Sequence, residues 1–296
     1  MPRLVEGRIV NSKYKVIAHI NQGGTADIYE AINIITGQSV ALKVMKTLSE
    51  NQISSAVERF EIEIEILSKF NNENIVKYFD SFLIDERPSM AIELLSGLEL
   101  NQIIKKKHNL STKQTAIIAI KIVTALMDIH SKKIVHRDIS PSNIMITFDR
   151  EVKLIDFGIV LSSSNQDLTT QGNILGSVNY MSPEVCAAKK ATPESDIYSL
   201  GATLFKALTG ITIFSGDNVS IMKKQMNEEA PEVIDINPEI LPAMNNLISQ
   251  MLSKKPHERP TLNSILETLQ HIVSGTKPIV QSVETKKHWW NRKSNA

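Results

Sequence analysis

The chain has 296 residues, 42% of them hydrophobic, with only 12 glycines and 11 prolines, which is enough to bury a sizeable core in one large domain or two lobes. With 33 basic residues against 32 acidic the net charge is +1, so the overall charge supplies no long-range attraction to nucleic acid or to an anionic membrane. A single cysteine, Cys186, rules out an intrachain disulfide framework, and the seven scattered histidines lack metal-ligand spacing, which points to a reducing cytoplasm and no structural zinc.

At the start, MPRLVEGRIV lacks a charged region followed by an apolar stretch of signal-peptide length, and nowhere do about 18 apolar residues run together, so no transmembrane segment is expected. YKVIAHI (14–20) and ADIYEAINI (26–34) have strand-like content around the glycines, and QSVALKVM (38–45) follows the turn signal TG. AVERFEIEIEILSKF (56–70) has apolar residues at spacings of three and four; Ile62 and Ile66 also let part of it alternate, but its length and glutamate content favour a helix. Strands are expected at NIVKYFD (74–80) and SMAIELL (89–95), and from about residue 98 helices dominate. TKQTAIIAIKIVTALMDIH (112–130) is long and strongly apolar, with Ser111 as its N-cap, and ESDIYSLGATLFKALTG (194–210) ends at Gly210. Helical patterns recur at 217–228, 239–252 and 261–273. After Gly275 periodicity is lost, and the end is read as a flexible extension; its KKHWWNRK (286–293) joins cations to two tryptophans, a composition suited to peripheral contact with a membrane interface or to a partner groove.

Residues 136–143, HRDISPSN, taken alone are an ordinary polar turn. Followed by DFG at 156–158, and preceded by a β-rich region, they resemble the protein-kinase family of the eukaryotic serine/threonine type, particularly its bacterial members. The order and spacing of several motifs carry that resemblance, over roughly residues 12–272. It implies an α+β, bilobal fold: a small antiparallel β-sheet lobe with one helix, about 12–94, and a larger, mainly α-helical lobe, about 95–273, followed by the tail 274–296. It also implies ATP and Mg²⁺ as cofactors and proteins as substrates.

By the same resemblance, the hairpin Ile20, Asn21, Gln22, Gly23, Gly24, Thr25, Ala26 lies over the nucleotide phosphates. The family's three glycines fall on Asn21, Gly23 and Ala26, so only the middle one is kept; Gly23 and Gly24 let backbone N–H groups approach phosphate, and Asn21 tolerates positive φ. Lys43 in VALK matches the lysine that contacts the α and β phosphates, with Glu63 as its partner in preference to Glu61 or Glu65. Adenine is expected between Ile28 and Ala41 above and Met145 below, with Ile92 behind it and the backbone of Glu93 to Leu95 at its edge. Asp138 matches the catalytic aspartate, while Asn143 and Asp156 match the metal ligands. In the segment ending GSVNYMSPE, Thr169 and Thr170 are candidate phosphorylation sites with Arg137 as the phosphate's partner, and as a bland alternative they are loop hydroxyls. Glu184 and Arg259 match a structural ion pair, and Asp196 a brace for the catalytic loop.

One departure concerns mechanism: where serine/threonine members usually carry lysine, two residues past the catalytic aspartate, this chain has Ser140. Three readings follow. The first is an active serine/threonine kinase that autophosphorylates in its activation loop. The second is a weak or inactive pseudokinase, an ATP-binding scaffold. The third, a small-molecule kinase, is disfavoured because GSVNYMSPE is intact.

Overall fold

The structure is a computed structural model and describes residues 4–46, 50–157 and 177–275. Strands β1 (Ile9–Val10), β2 (Tyr14–Gln22), β3 (Ala26–Asn33), β4 (Ser39–Met45), β5 (Tyr78–Ile84) and β6 (Arg87–Glu93) form one antiparallel sheet in the order β1-β2-β3-β4-β6-β5. Between β4 and β5 lies helix α1 (Glu50–Leu67), which begins earlier and ends earlier than its apolar pattern predicts.

Because side chains alternate across a strand, the register sorts this sheet into two faces. The pairings Ile28 with Lys43, Glu30 with Ala41, Ala41 with Ile92 and Lys43 with Met90 place all six on one face. Tyr29, Leu42, Val44 and Ala91 take the other, where they pack with Leu4, Val10, Tyr14, Val16 and Ile84. Burial of each large side chain there contributes about 1.5 to 3 kcal/mol. That separate outer core leaves the inner face, with Lys43 in it, directed at α1 and the rest of the chain.

The strand expected at 74–80 is corrected to Tyr78–Ile84, four residues later at each end. β5 starts at Tyr78, because Asn74–Val76 is held by the second lobe: Val76 N–H donates to Leu154 O (2.9 Å), Leu154 N–H to Asn74 O (2.9 Å), and Asn74 Nδ2 to Val152 O (3.0 Å). β6 likewise ends at Glu93, and 94–96 runs on as an irregular link.

The second lobe opens with β7 (Gly97–Glu99) and α2 (Leu100–Lys107). β7 joins β8 (Ile144–Thr147) and β9 (Val152–Leu154) in a small antiparallel sheet. Gly97 makes that junction possible, since a Cβ there would lie 2.2 Å from Ile146 O. α3 (Thr112–Ser131) is capped by Ser111, whose Oγ accepts from Gln114 N–H at 3.3 Å, as the sequence predicts. After α4 (Pro183–Cys186), α5 (Pro193–Thr209) is buried on nearly every side, and it ends at Gly210 with φ +80°. α6 (Asn218–Asn227), α7 (Val233–Ile236), α8 (Pro242–Met251) and α9 (Leu262–Ser274) follow, α7 and α8 against α5, α6 against α4, and α9 against α3. Gly158, Thr169, Thr170 and the tail's KKHWWNRK lie outside the described residues.

Candidate active site

Lys43, Glu63 and Asp156 come from β4, α1 and the link after β9, and they meet at one point. Lys43 Nζ donates to Glu63 Oε1 at 2.6 Å and to Asp156 Oδ1 at 2.7 Å. Burial pushes the Lys43 ammonium down, and the charges of Asp156 and Glu63 more than offset it, so its pKa lies above the ordinary value. One ammonium serves two carboxylates. Burial raises the pKa of Glu63, with Lys43 opposing and Asp156 adding to the rise. Glu65, one of the alternatives weighed from sequence, instead pairs with Lys69 at the surface (2.8 Å). Phe60 and Leu67 lie on the buried side of α1, 5% and 2% exposed, which fixes the helix rotation that aims Glu63 at Lys43.

The HRDISPSN residues sit on an irregular segment between α3 and β8, bonded to α5. Asp196, fully buried on α5, accepts from His136 N–H (2.9 Å) and Arg137 N–H (2.8 Å), and it bonds His130 Nε2 (2.8 Å). Those bonds support Arg137 in its left-handed backbone conformation, φ +72°. Asn143 Nδ2 donates to the Asp138 carboxylate (2.7 Å) and to Asp138 O (3.0 Å), so the two expected site residues are bonded to each other. Ser140 is 6% exposed, and its carbonyl accepts Asn143 N–H at 3.0 Å.

The pairings made by motif residues with partners such as Phe70, Lys77 and Lys153 have no signal in the sequence. The His136 ring stacks on Phe157 (centroids 4.7 Å apart), and Phe157 stacks on Phe70 (5.6 Å), which ties the HRDISPSN segment and the DF pair to the residues just after α1. Burial pushes the His136 pKa down to about 4, so the ring is neutral at physiological pH. Behind the link at 94–96, the Glu93 carboxylate accepts Lys153 Nζ (3.0 and 3.2 Å) and Lys77 N–H (3.1 Å), while Glu93 N–H donates to Lys77 O (2.8 Å). Leu95 N–H has no acceptor among the described residues. On the inner face of the sheet, Ile28 and Ala41 share a face with Ile92, which pairs with Ala41, and Met145 on β8 is half-buried.

The glycine hairpin is corrected in detail. Asn21 stays in β2 with extended backbone, its Oδ1 accepting Gln22 N–H (2.8 Å), and neither Gly23 nor Gly24 has positive φ. Room, not left-handed backbone, is what the glycines supply: Gly23 N–H bonds Ala26 O (2.9 Å), a Cβ on Gly23 would sit 3.0 Å from that oxygen, and Gly24 faces open space. Ile20, Gln22 and Thr25 are exposed and Ala26 is buried beneath the turn. Lys46 ties the hairpin from outside, donating to Gly23 O.

In the second lobe, Arg259 forms a fork on Glu184, Nη1 to Oε1 at 2.7 Å and Nη2 to Oε2 at 2.8 Å, with further bonds to Glu194 O and Ser253 O.

A sequence model described as the protein kinase domain matches residues 14–271. This chain belongs to the protein kinase family. The kinase domain is 34% identical over 257 residues to PknB of Lactococcus lactis, described as a probable serine/threonine-protein kinase, covering 86% of this chain and 41% of that protein. It is 34% identical over 254 residues to the serine/threonine-protein kinase PrkC of Bacillus subtilis, covering 86% and 39%. Against the serine/threonine-protein kinase PknL of Mycobacterium tuberculosis the figures are 30% over 256 residues, 86% and 64%. This kinase chain thus spans about two fifths of the length of the first two relatives. Among its described residues no helix is long and apolar enough to cross a membrane.

Proposed function

We propose that the chain is an ATP- and Mg²⁺-dependent protein kinase that transfers the γ-phosphoryl group of ATP to serine or threonine hydroxyls of proteins in the cytoplasm, where ATP is supplied. The observation that carries the reading is the shared ammonium of Lys43, 2.6 Å from Glu63 and 2.7 Å from Asp156, residues 20 and 113 positions away in the chain. A structural ion pair needs one carboxylate; a lysine held between two is poised to meet the charge of a polyphosphate.

Metal fits the donor set. Asp156 offers a carboxylate whose side chain is 47% exposed, and Asn143, with its Nδ2 committed to Asp138, keeps Oδ1 without a donor among the described residues. These are hard oxygen ligands, few in number, as Mg²⁺ prefers. Bound there, Mg²⁺ would neutralise phosphate charge. The protein's own residues then do the following. Lys43 holds phosphate oxygens, and Gly23 and Gly24 let the hairpin backbone close over them. The bonds from Asn143 fix the Asp138 carboxylate, which orients the acceptor hydroxyl and takes its proton late, because a carboxylate is far too weak a base to deprotonate an alcohol in the ground state.

The proposal extends to autophosphorylation at Thr169 or Thr170. What supports it is a cavity of about 570 Å³ lined by Lys133, Arg137, Lys190 and the neutral His136, in which Arg137 Nε is buried without an acceptor among the described residues. A phosphothreonine is the kind of group that would satisfy it. Phosphopeptide mapping of active protein is expected to find one of the two threonines modified.

Incubation of the purified protein with ATP, Mg²⁺ and dephosphorylated casein tests the function. Transfer that disappears in Asp138→Asn is expected. ATP binding without any transfer would favour the pseudokinase reading, which Ser140 and the missing glycines motivate.

A further inference from the structure

Lys46, the residue after β4, holds the glycine hairpin at two points. Its backbone N–H donates to Thr25 O at 2.9 Å, and its ammonium donates to Gly23 O. The register fixes the side from which it does so. Asp27 pairs with Val44, whose side chain lies in the outer core, and Lys46, two residues past Val44, approaches Asp27 on that same face. The approach is loose: Nζ stands 3.9 Å from Asp27 Oδ1, and the other neighbour of that oxygen, His19 Nε2, is 3.5 Å away. Asp27 Oδ1 is buried without a hydrogen-bond donor among the described residues. A lysine placed only to pair with Asp27 would close the gap to hydrogen-bond length; this ammonium stands off the carboxylate and gives its hydrogen to a carbonyl of the hairpin.

Gly23 O belongs to the peptide unit that joins Gly23 to Gly24. A trans peptide is planar, with its C=O and N–H pointing in opposite directions. A bond that draws Gly23 O to the outer face therefore turns Gly24 N–H toward the inner face, the one that carries Lys43. That N–H has no acceptor among the described residues, and Gly24 has open space beside it. Between two glycines a peptide unit turns over at little steric cost, so its orientation has to be set from outside. Asn21 and Ala26 stand where the resemblance places the other glycines, which leaves this unit as the one in the hairpin that most needs such a hold.

We propose that Lys46 is a positioning residue for the nucleotide: by tying Gly23 O from the outer face, it aims Gly24 N–H at a phosphate oxygen. The inference rests on the kinase reading given above, since the aimed amide matters only if phosphates lie under the hairpin. Its reach is confined to the phosphates; Ile28, Ala41 and the 94–96 link, where the base is expected, make no bond to Lys46.

The test uses the full chain carrying Lys46→Met, which keeps an unbranched side chain without its donor, and Lys46→Arg, which keeps both donor and charge. Calorimetry measures the affinity of each for ATP with Mg²⁺ and for adenosine, which has no phosphate, in dilute buffer and in about 1 M salt, where the screening length is about 3 Å. For Lys46→Met the expected result is a loss of about tenfold in ATP affinity, the scale of one hydrogen bond to a charged group, with adenosine within about twofold. The loss is expected to persist in high salt, and Lys46→Arg to recover most of it. Equal losses for ATP and adenosine would make Lys46 a general support of the lobe, and a loss that vanishes in high salt would make it a bare charge; either overturns the proposal, as does unaltered ATP affinity in Lys46→Met or an arginine variant no better than methionine. Transfer to dephosphorylated casein by the wild type is measured beside these. A wild type that binds ATP and transfers nothing fails the kinase reading alone, with calorimetry still deciding Lys46, whereas one that transfers phosphate while Lys46→Met binds ATP unchanged fails this inference alone.

Discussion

Two residues at the site divide chemistry from stability. Glu63 is a buried carboxylate whose pKa is pushed up by burial against the pull of Lys43, so its charge is held at a cost. Glu63→Gln keeps the shape and removes the charge, and Lys43 then answers to Asp156 alone. Turnover is expected to fall by about 10²-fold, the scale at which losing one preorganised electrostatic partner is felt, while the melting temperature holds or rises. Steady-state kinetics beside calorimetry on one preparation checks the split. Ser140 is the converse case, a position where charge is missing. Its carbonyl supports Asn143, and its small side chain is 6% exposed. Ser140→Lys is expected to raise kcat about tenfold if that contact limits transfer. Unaltered kcat would mean that Lys43 and the metal already suffice.

At the scale of elements, the ion pair of Glu184 and Arg259 is what joins α4 to α5 and to the segment before α9. Both residues are buried, and Ser195 Oγ adds a third bond to Glu184 at 2.7 Å. Burial raises the Glu184 pKa, and the bonds from Arg259 and Ser195 outweigh it, so the folded value lies below the ordinary one. A depressed carboxylate stabilises the fold at pH values above its unfolded pKa, about 4.3, and that contribution is lost as pH falls through the lower folded value. Glu184→Ala is therefore expected to cost on the order of 3 to 5 kcal/mol near neutrality, because Arg259 is left buried and unpaired. It should also flatten the acid limb of the stability curve below about pH 4.3, which denaturant titrations at several pH values would read. Long elements such as α3 and α5 were legible in the sequence because their apolar pattern repeats over many turns. The site pairs were legible because motif order places Lys43, Asp138 and Asp156, and counting places Glu63. What stayed hidden is non-local: β7, β8 and β9 are too short for a periodic signal, the start of β5 depends on Leu154, and the bond of Glu93 to Lys153 joins residues 60 positions apart.

For the whole molecule, the cleft divides the chain less than its two-lobed outline suggests. The outer face of the first sheet has its own core, but Ala26, Met45, Phe60, Leu67 and Met90 belong to the same apolar cluster as α3, α5 and Phe157. Several connections cross beside the covalent link and the Lys43–Asp156 bond, among them Asn74–Val76 onto β9, Glu93 onto Lys153, Asn72 onto Asp128, and the stack of Phe70, Phe157 and His136. With an apolar cluster running through the cleft, separating the lobes exposes core, so the domain is expected to melt in one calorimetric transition. Phe157 is the keystone of the stack because it touches a ring on either side, and it is only 8% exposed. Phe157→Ala is expected to lower stability by about 3 to 5 kcal/mol. The loss falls at the junction, so the variant's transition should broaden or split, with the first lobe leaving first, and ATP with Mg²⁺ should restore a single transition by binding across the cleft. A variant that melts as sharply as the wild type, merely at lower temperature, would mean that the lobes are coupled through Asn74–Val76 and Glu93 without the aromatic stack.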